Sequence, residues 1–387
     1  DHLPVLVKGI NDRNVIIDFV WHRFHYQFQS DNLYKSVRRK IWLSFLSISF
    51  EFGAFNLIRM GLFANNNSDL ENILKNDFTS TFRPGYITVE GVTMPKRFEE
   101  LREDIYNWDV KEEDVWICSF PKTGTTWTQE MVWMIMHNLD FIGGEANLGV
   151  RSPFLEVSAL FDYREFKKEN IEFNPPAFLD NSLKFVRDQS MKGPICLKTH
   201  LPWVLLPKEI QNQIKLPKII YVTRNPKDTC ISYYNHSRLM EGYRGNFEDF
   251  CRLFIAGKLP FAPYWDHILP FWERRDLPNI LFLKYEELIH DLPSVIRNVA
   301  NFLDRPLSCE QVEVLSSHLS FASMKNNPAV NYEMVVDLNR KFNLIECEGS
   351  FMRSGKVGDY KAKMAPEIIE TFNEWTEKNL NGSSLKY

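Results

Sequence analysis

The chain has 387 residues, of which 44% are hydrophobic, and carries a formal net charge of −4 with an isoelectric point near 6.2. This length allows a globular fold with a sizeable core. A nucleic-acid partner would require a strong basic bias, which this composition excludes, so any basic site must be local. The six cysteines form no C-x-x-C pair and no metal-ligand spacing with histidines. They favour free thiols in a reducing cytoplasm over a zinc site or a disulfide scaffold.

Residues 1–77 differ from the remainder and are predicted to be an amino-terminal extension. The stretch Ile41 to Phe63 is rich in Phe, Leu and Ile, but Glu51 and Arg59 interrupt it. A charged side chain costs about 2.5–3.5 kcal/mol at the centre of a membrane helix. The pattern therefore favours an amphipathic surface helix or a disordered extension over a membrane anchor. The run Asn65 to Asp69 predicts a linker to the main domain.

Short apolar runs alternate with longer amphipathic stretches across residues 78–387, as in folds where crossover helices join parallel strands. The sequence predicts an α/β fold, a single domain with a central parallel sheet flanked by helices. Ligands of such sheets bind at the carboxyl ends of the strands. A proline-rich and aromatic-rich segment, Gly143 to Lys192, interrupts the pattern and is expected to be a loop region on the substrate side. The predicted strands are Val115 to Ser119, Ile195 to Thr199, Lys218 to Thr223 and Ile280 to Lys284.

The most informative motif is the run Phe120 to Trp127, which follows the first of these strands and opens a helix-like stretch. A small, hydroxyl-rich turn there leaves backbone N–H groups unpaired at the helix start, where the helix dipole favours negative charge and Lys122 adds more. The motif predicts a P-loop-like phosphate-binding turn. Because Lys122 precedes Gly124, its order differs from the nucleotide triphosphatase loop G-x-x-x-x-G-K-S/T. This order indicates an anionic nucleotide other than ATP with magnesium.

Basic residues also follow two other predicted strands. Lys198 and His200 lie two residues apart, which puts both side chains on the same side of an extended chain. A histidine is suited to take a proton from an alcohol or phenol near neutral pH. Arg224 offers a planar fork to phosphate, and Ser232 offers a hydroxyl from the adjoining helix. The ordinary alternatives are a packed histidine and a surface ion pair between Arg224 and Asp228.

A fourth basic segment, Arg353 to Asp359, is a loop whose glycines let backbone N–H groups approach an anion closely. Together the four segments resemble the cytosolic sulfotransferase family, which includes insect-type retinol dehydratase-like enzymes. Its members move a sulfuryl group from 3′-phosphoadenosine 5′-phosphosulfate (PAPS) to a hydroxyl or amine. Pro121 to Trp127 matches the family's phosphosulfate loop, P-K-S/T-G-T-T-W, and Lys198 to His200 matches its K-T-H strand end. Arg224 and Ser232 match its 3′-phosphate signature.

The resemblance implies a role for each matching residue. His200 would remove the acceptor's proton, while Lys122 and Lys198 would neutralise charge on the transferring group. Three groups of residues would bind the donor. The residues at the 5′-phosphate would be Thr123, Gly124, Thr125 and Thr126. Those at the 3′-phosphate would be Arg224, Ser232, Arg353, Ser354 and Gly355, and those at the adenosine would be Trp127, Tyr285, Ser320, Phe321 and Met324.

The chain departs from the family pattern at three places. Ser354 stands where the family usually has a lysine, so one charge contact is lost, and Lys356 is a candidate to compensate for it. Leu319 replaces the threonine that usually precedes the adenine-side segment. The family's dimer motif, K-x-x-x-T-V-x-x-x-E, keeps only its terminal Lys361 and Glu370. The loss of the rest of the motif argues against dimerisation by that route.

The sequence therefore predicts a cytoplasmic, PAPS-dependent sulfotransferase that needs no metal and acts on a small hydrophobic alcohol, phenol or steroid. Two alternatives stay open: a retinol dehydratase-like variant that sulfates an alcohol and then eliminates the sulfate, and a noncatalytic protein that binds PAPS or its product PAP. The aromatic-rich segment Phe154 to Phe185 suits an apolar acceptor, although aromatic side chains are commonly core. Homodimer formation, membrane contact by the extension and the acceptor's identity stay open.

Overall fold

The computed structural model describes residues 67–346 and 348–387. The apolar stretch Ile41 to Phe63, like the rest of residues 1–66, lies outside the described residues. The predicted linker Asn65 to Asp69 is wrong where it is described, because helix α1 (Asn67–Asp77) begins inside it. Apolar residues at helical spacing give α1 one face to bury, and that face joins the main core through Leu70, Ile73 and Leu74. The described domain therefore begins earlier than residue 78.

The described strands are β1 (Tyr86–Val89), β2 (Val92–Pro95), β3 (Val115–Cys118), β4 (Cys196–Thr199), β5 (Lys218–Thr223) and β6 (Ile280–Lys284). The four predicted strands, β3 to β6, form one parallel sheet of order β4–β3–β5–β6, and a separate hairpin joins β1 to β2. Of these four, two have the predicted bounds and two are one residue shorter. The hairpin turns through Glu90 and Gly91, whose φ angles of 50° and 79° fit a tight two-residue turn.

The register places β3 between β4 and β5, with Val115 opposite both Cys196 and Lys218. From β3 the chain first forms β4 on one side of it and then β5 on the other. This reversal of direction leaves a crevice at the carboxyl ends of the strands. Alternate β3 side chains enter two separate core clusters, Trp116 in one and Ile117 in the other. The sheet is therefore covered on both faces, as its apolar strands predicted.

Helices cover both faces of the sheet. The helices after α1 are α2 (Phe98–Tyr106), α3 (Thr125–Met136), α4 (Leu148–Arg151), α5 (Val157–Leu160), α6 (Arg164–Glu169), α7 (Ala177–Asp180), α8 (Ser182–Ser190), α9 (Lys208–Gln211), α10 (Pro226–His236), α11 (Phe247–Ile255), α12 (Tyr264–Glu273), α13 (Tyr285–His290), α14 (Leu292–Phe302), α15 (Cys309–His318), α16 (Phe321–Asn326), α17 (Glu333–Lys341), α18 (Tyr360–Lys363) and α19 (Pro366–Leu380). The predicted loop region Gly143 to Lys192 is divided into short helices, α4 to α8. A π-helical turn, Ser237–Glu241, extends α10. No described helix is long and apolar enough to cross a membrane.

Candidate active site

The turn between β3 and α3 is built by two residues in the left-handed region of backbone conformation. Lys122 has φ 69° and Gly124 has φ 113°, so the chain curls and the first amides of α3 point away from the sheet. Gly124 is the N-cap of α3 and offers no side chain to those amides. Tyr285 packs against it so closely that an added Cβ would lie 2.8 Å from the Tyr285 ring. The turn therefore presents an N-terminal helix end with free donors, which suits an anion.

A single cavity at the carboxyl ends of the strands gathers nearly all the residues that the sequence assigned to the site. Two predicted residues do not line it: Thr123 and Ser320. Those that do are Lys122, Gly124, Thr125, Thr126, Trp127, Lys198, His200, Arg224, Ser232, Tyr285, Phe321, Met324, Arg353, Ser354 and Gly355.

The two exceptions have local structural causes. The Thr123 hydroxyl lies within hydrogen-bond distance of the carbonyl oxygens of Phe120 and Val222, at 2.9 Å and 2.8 Å, so it fastens the turn to the sheet. The Ser320 side chain caps α16, where it accepts from the backbone N–H of Ser323 at 3.3 Å. Leu319 lines the cavity instead. The side chains of Thr123 and Ser320 therefore stabilise the local backbone, and their predicted contributions to donor binding stay predictions.

His200 lies at the end of β4 and is only 6% exposed. Its Nδ1 is 2.7 Å from the backbone carbonyl oxygen of Ser119, which can only accept a hydrogen bond. Nδ1 therefore carries the proton in the neutral ring, and Nε2 holds a lone pair. Burial, and then the charge of Lys198, lower the pKa of His200 well below its usual value. The imidazole is neutral near pH 7, the state that can accept a proton.

Aromatic rings cover the two cavity lysines. Lys122 Nζ lies 3.9 Å from the ring centroid of Phe351, and Lys198 Nζ lies 4.1 Å from that of Phe154. Burial lowers the pKa of Lys122 to about 7, with the neighbouring cations Lys198 and Arg224 adding to the effect. Burial also lowers the pKa of Lys198 to about 8. The charge of Glu241, and for Lys198 also that of Glu156, only partly offsets this lowering. Within the described residues neither lysine forms an ion pair, so an anionic ligand would relieve the remaining unfavourable charge.

Arg224 follows β5 and forms the opposite wall. Its guanidinium lies 4.3 Å from the ring centroid of Tyr285, and Nη2 donates to the backbone oxygen of Lys356 at 2.8 Å. Its Nε is buried and has no hydrogen-bond partner among the described residues. A buried donor without a partner is costly, and a phosphate oxygen would satisfy it. The side chain of Lys356 does not line the cavity, so it does not replace the missing family lysine there.

The late basic loop is held against α10 by a carboxylate. Asp228 accepts from the backbone N–H groups of Gly358 and Tyr360, at 2.7 Å and 3.1 Å. Within the loop, Arg353 forms an ion pair with Asp359, at 2.8 Å. The fixed loop brings Gly355 against α16, where an added Cβ would lie 2.5 Å from the Phe321 ring.

If the cavity binds PAP, the product of PAPS, as the family resemblance implies, Gly355→Ala should weaken that binding by about tenfold. Its φ of 63° disfavours alanine, and the new methyl group would displace Phe321. Titration calorimetry with PAP measures the change. Gly91→Ala is the matched control, because Gly91 also has a positive φ, 79°, but has open space around its Cβ position. Equal PAP affinity in Gly355→Ala and the unaltered protein would contradict a ligand-binding role for the loop.

The other half of the cavity is apolar. Part of the predicted substrate-side segment contributes to it, whereas Tyr163 and Phe173 from the same segment are core. The segment therefore divides between the two roles that its aromatic content allowed. The apolar lining residues are Phe154, Val157, Leu160, Phe161, Phe178, Leu179, Leu239, Met240, Phe261, Tyr332, Val335, Phe351 and Met352.

Sequence reasoning missed a set of charged residues beside this apolar wall. Arg83 and Glu241 form a buried ion pair at 2.7 Å, and His236 Nε2 lies 3.2 Å from the other oxygen of Glu241. Glu241 and His236 line the cavity. The π-helical turn carries Glu241 inward, and such turns are often found at functional sites. No sequence motif links Arg83 to Glu241, because they are 158 residues apart.

Comparisons with known proteins agree with this geometry. Residues 112–384 match the family model described as a sulfotransferase domain. Luciferin sulfotransferase of Photinus pyralis is 41% identical over 322 residues, which cover 83% of this chain and 86% of that protein. Sulfotransferase 1E1 of Homo sapiens is 33% identical, with 77% of this chain and 94% of that protein covered. A crystal structure of retinol dehydratase with androsterone and PAP is 29% identical, with a TM-score of 0.69 over 83% of this chain and 96% of that one.

The chain belongs to the sulfotransferase family. This confirms the resemblance, the α/β fold and the enzyme class that the sequence predicted. The described residues contain no group of three or more His, Cys, Asp or Glu side chains placed to hold a metal ion. Of the cysteines in the described part, Cys309 is an exposed free thiol, and Cys118, Cys196, Cys230 and Cys251 are buried free thiols.

Proposed function

We propose that this sulfotransferase moves a sulfuryl group from PAPS to a hydroxyl of a small, mainly apolar acceptor. The observation that carries the proposal is that one cavity is lined both by cationic residues and by many apolar side chains, with His200 among them. We call the cationic part with the Gly124 turn the anion-binding half and the rest the apolar half. Relatives support both halves: a retinol dehydratase was crystallised with retinol and PAP, and another structure of it holds androsterone.

The residues in the anion-binding half fit a donor with two phosphate positions. The helix end after Gly124 and Lys122 would hold the 5′-phosphosulfate, and Arg224, with its unpartnered Nε, would hold the 3′-phosphate together with Ser232. Trp127 would face the adenine, since it lines the same cavity and its ring lies edge to face with that of Tyr285, at 5.8 Å between centroids. PAPS would supply the sulfuryl group, and the fixed cations of the chain would supply the positive charge that the leaving phosphate needs.

The protein's task in this reaction is placement and charge stabilisation. His200 Nε2 would accept the proton of the acceptor hydroxyl, because Nδ1 is already committed to Ser119. Lys122 and Lys198 would stabilise charge around the transferring group. The apolar wall would hold the acceptor and exclude water from its hydroxyl.

Transfer of radioactive sulfate from labelled PAPS tests the proposal. A panel of phenols, steroids, retinoids and catecholamines should yield at least one labelled organic sulfate. ATP, titrated in parallel with PAP, should bind much more weakly, because the turn lacks the triphosphatase order. A folded protein that binds PAP but labels no member of a broad panel would favour the noncatalytic alternative, and one that prefers ATP would contradict the donor.

A retinol dehydratase-like reaction is a second candidate, and the structural likeness to that enzyme favours it. In that reaction an allylic alcohol would first receive the sulfuryl group. The C–O bond of the sulfate ester would then break to release free sulfate, and the carbon skeleton would lose a proton to form a further double bond. Product analysis with retinol separates the two reactions. Retinyl sulfate as the stable product would support transfer alone, and a dehydrated product with release of free sulfate would support net dehydration.

The affinity for PAP should fall as the pH rises through about 7 to 8. The pKa of Lys122 is lowered to about 7 and that of Lys198 to about 8 in the free cavity. An anion favours the protonated ammonium, so binding takes up protons, and each deprotonated lysine should cost up to about tenfold in affinity per pH unit. Calorimetry in buffers of different ionisation enthalpy measures this uptake. Binding without proton uptake, at constant affinity across this range, would contradict it.

A further inference from the structure

Glu156 is a buried carboxylate beside the candidate catalytic histidine, with 0% of the residue exposed. One of its oxygens accepts from the backbone N–H of His200 at 2.6 Å. The other accepts from the hydroxyl of Thr199 at 2.9 Å. Both oxygens are therefore occupied at the end of β4. Burying a carboxylate costs free energy unless its oxygens accept hydrogen bonds, as both do here.

The segment that carries Glu156 is aligned with β4. The backbone N–H of Lys198 donates to Pro153 and that of Leu155 donates to Lys198, both at 2.9 Å, so Phe154 lies opposite Lys198. The Phe154 ring then lies 4.1 Å from Lys198 Nζ and 4.9 Å, edge to face, from the imidazole of His200. A single short segment thus contacts both Lys198, in β4, and His200, which directly follows β4.

The remaining contacts of His200 show how little freedom the residue has. His267 Nε2 lies 2.8 Å from the backbone oxygen of His200, and the backbone oxygen of Ser119 accepts a hydrogen bond from His200 Nδ1. Glu156 completes this set by holding the backbone N–H. With backbone and ring fixed together, Nε2 is the ring nitrogen left for an acceptor hydroxyl.

We propose that Glu156 is a positioning residue that fixes His200 and Lys198 in the geometry that sulfuryl transfer needs. The proposal rests on the proposed function of the cavity. Glu156 acts through the strand end and does not line the cavity itself. Because small misplacements of reacting groups reduce rates strongly, its loss should lower the rate of transfer while leaving the donor site formed.

Two substitutions of Glu156 test this role. Glu156→Gln retains an acceptor for the N–H of His200 and should lower kcat by about tenfold, and Glu156→Ala retains none and should lower it by about 100-fold. The affinity for PAP should stay within about twofold of the unaltered protein in both. Glu209→Gln is the matched control, because Glu209 also accepts a backbone N–H, that of Val110 at 3.0 Å, but lies outside the cavity lining.

Rates are normalised to the concentration of PAP-binding sites, so unfolded protein does not count. Unchanged normalised kcat in Glu156→Ala would overturn the proposal. Parallel losses of kcat and PAP affinity would also overturn it, because they indicate a general structural role. An inactive but PAP-binding unaltered protein would instead count against the proposed function.

A spectroscopic measurement does not depend on turnover. Nitrogen-15 spectra of labelled histidines should show the Nδ1–H tautomer for His200, assigned by its loss in His200→Gln. That signal should persist in Glu209→Gln and shift or broaden in Glu156→Ala. An identical His200 signal in Glu156→Ala would overturn the positioning role.

Discussion

Replacing His200 by alanine should lower kcat for sulfuryl transfer by about 100-fold to 10,000-fold. The cavity loses the ring nitrogen that holds a lone pair. Among the described residues the other histidine that lines the cavity is His236, whose Nε2 is engaged with Glu241. PAP should bind with nearly unchanged affinity, because His200 lies outside the groups that would hold the phosphates. Steady-state kinetics with labelled PAPS and calorimetry with PAP give the two values.

His290→Ala is the control for this substitution, because His290 is exposed and does not line the cavity. It should leave both kcat and PAP affinity unchanged. If His200→Ala lost PAP affinity as fully as activity, the histidine would belong to the donor site and its assignment as base would be wrong.

Lys122→Met should lower kcat/KM for PAPS by about 1000-fold or more. Removing one preorganised group that stabilises developing charge typically costs 100-fold to 1000-fold, and the lost cation also weakens anion binding. Methionine retains much of the apolar contact with Phe351 that Lys122 now makes. The effect should therefore appear in kinetics and PAP affinity more than in stability.

Lys356→Met tests whether any nearby lysine would do. Lys356 is exposed and lies in the late basic loop, but its side chain is outside the cavity lining. It should change kcat/KM for PAPS by less than about threefold, within the range of a screened surface charge. Equal losses in Lys122→Met and Lys356→Met would show that general positive charge, and not the turn, binds the donor.

Local sequence patterns predicted the sheet and the strand-to-helix turn well. Apolar runs such as Lys218 to Thr223 gave strand bounds directly, because a strand covered on both faces needs nearly continuous apolar residues. The turn from Lys122 to Trp127 is equally local, since its helix end and its glycine are contiguous in the chain. The resemblance then supplied Tyr285 and Arg353, which lie far from the turn in sequence, and the structure places both in the same cavity.

Contacts between distant residues could not be predicted in this way. The ion pair between Arg83 and Glu241 and the hydrogen bond from His200 to Glu156 depend on how segments pack. Arg83, Glu241 and Glu156 belong to none of the motifs that the sequence showed. The helix Asn67–Asp77 was missed because its asparagine-rich start has the composition of a linker, while its three buried apolar residues sit at helical spacing. Ser320 lies outside the cavity lining, and its side chain caps the helix that follows, a role to which a serine before a helix is equally suited.

A crystal structure with PAP and an acceptor tests the central claim most directly. We predict the 5′-phosphate at the helix end beside Lys122, the 3′-phosphate against Arg224 and Ser232, and the acceptor hydroxyl within hydrogen-bond distance of His200 Nε2. A nucleotide bound elsewhere, with Lys122 and Arg224 unengaged, or an acceptor whose hydroxyl lies away from His200, would contradict the account.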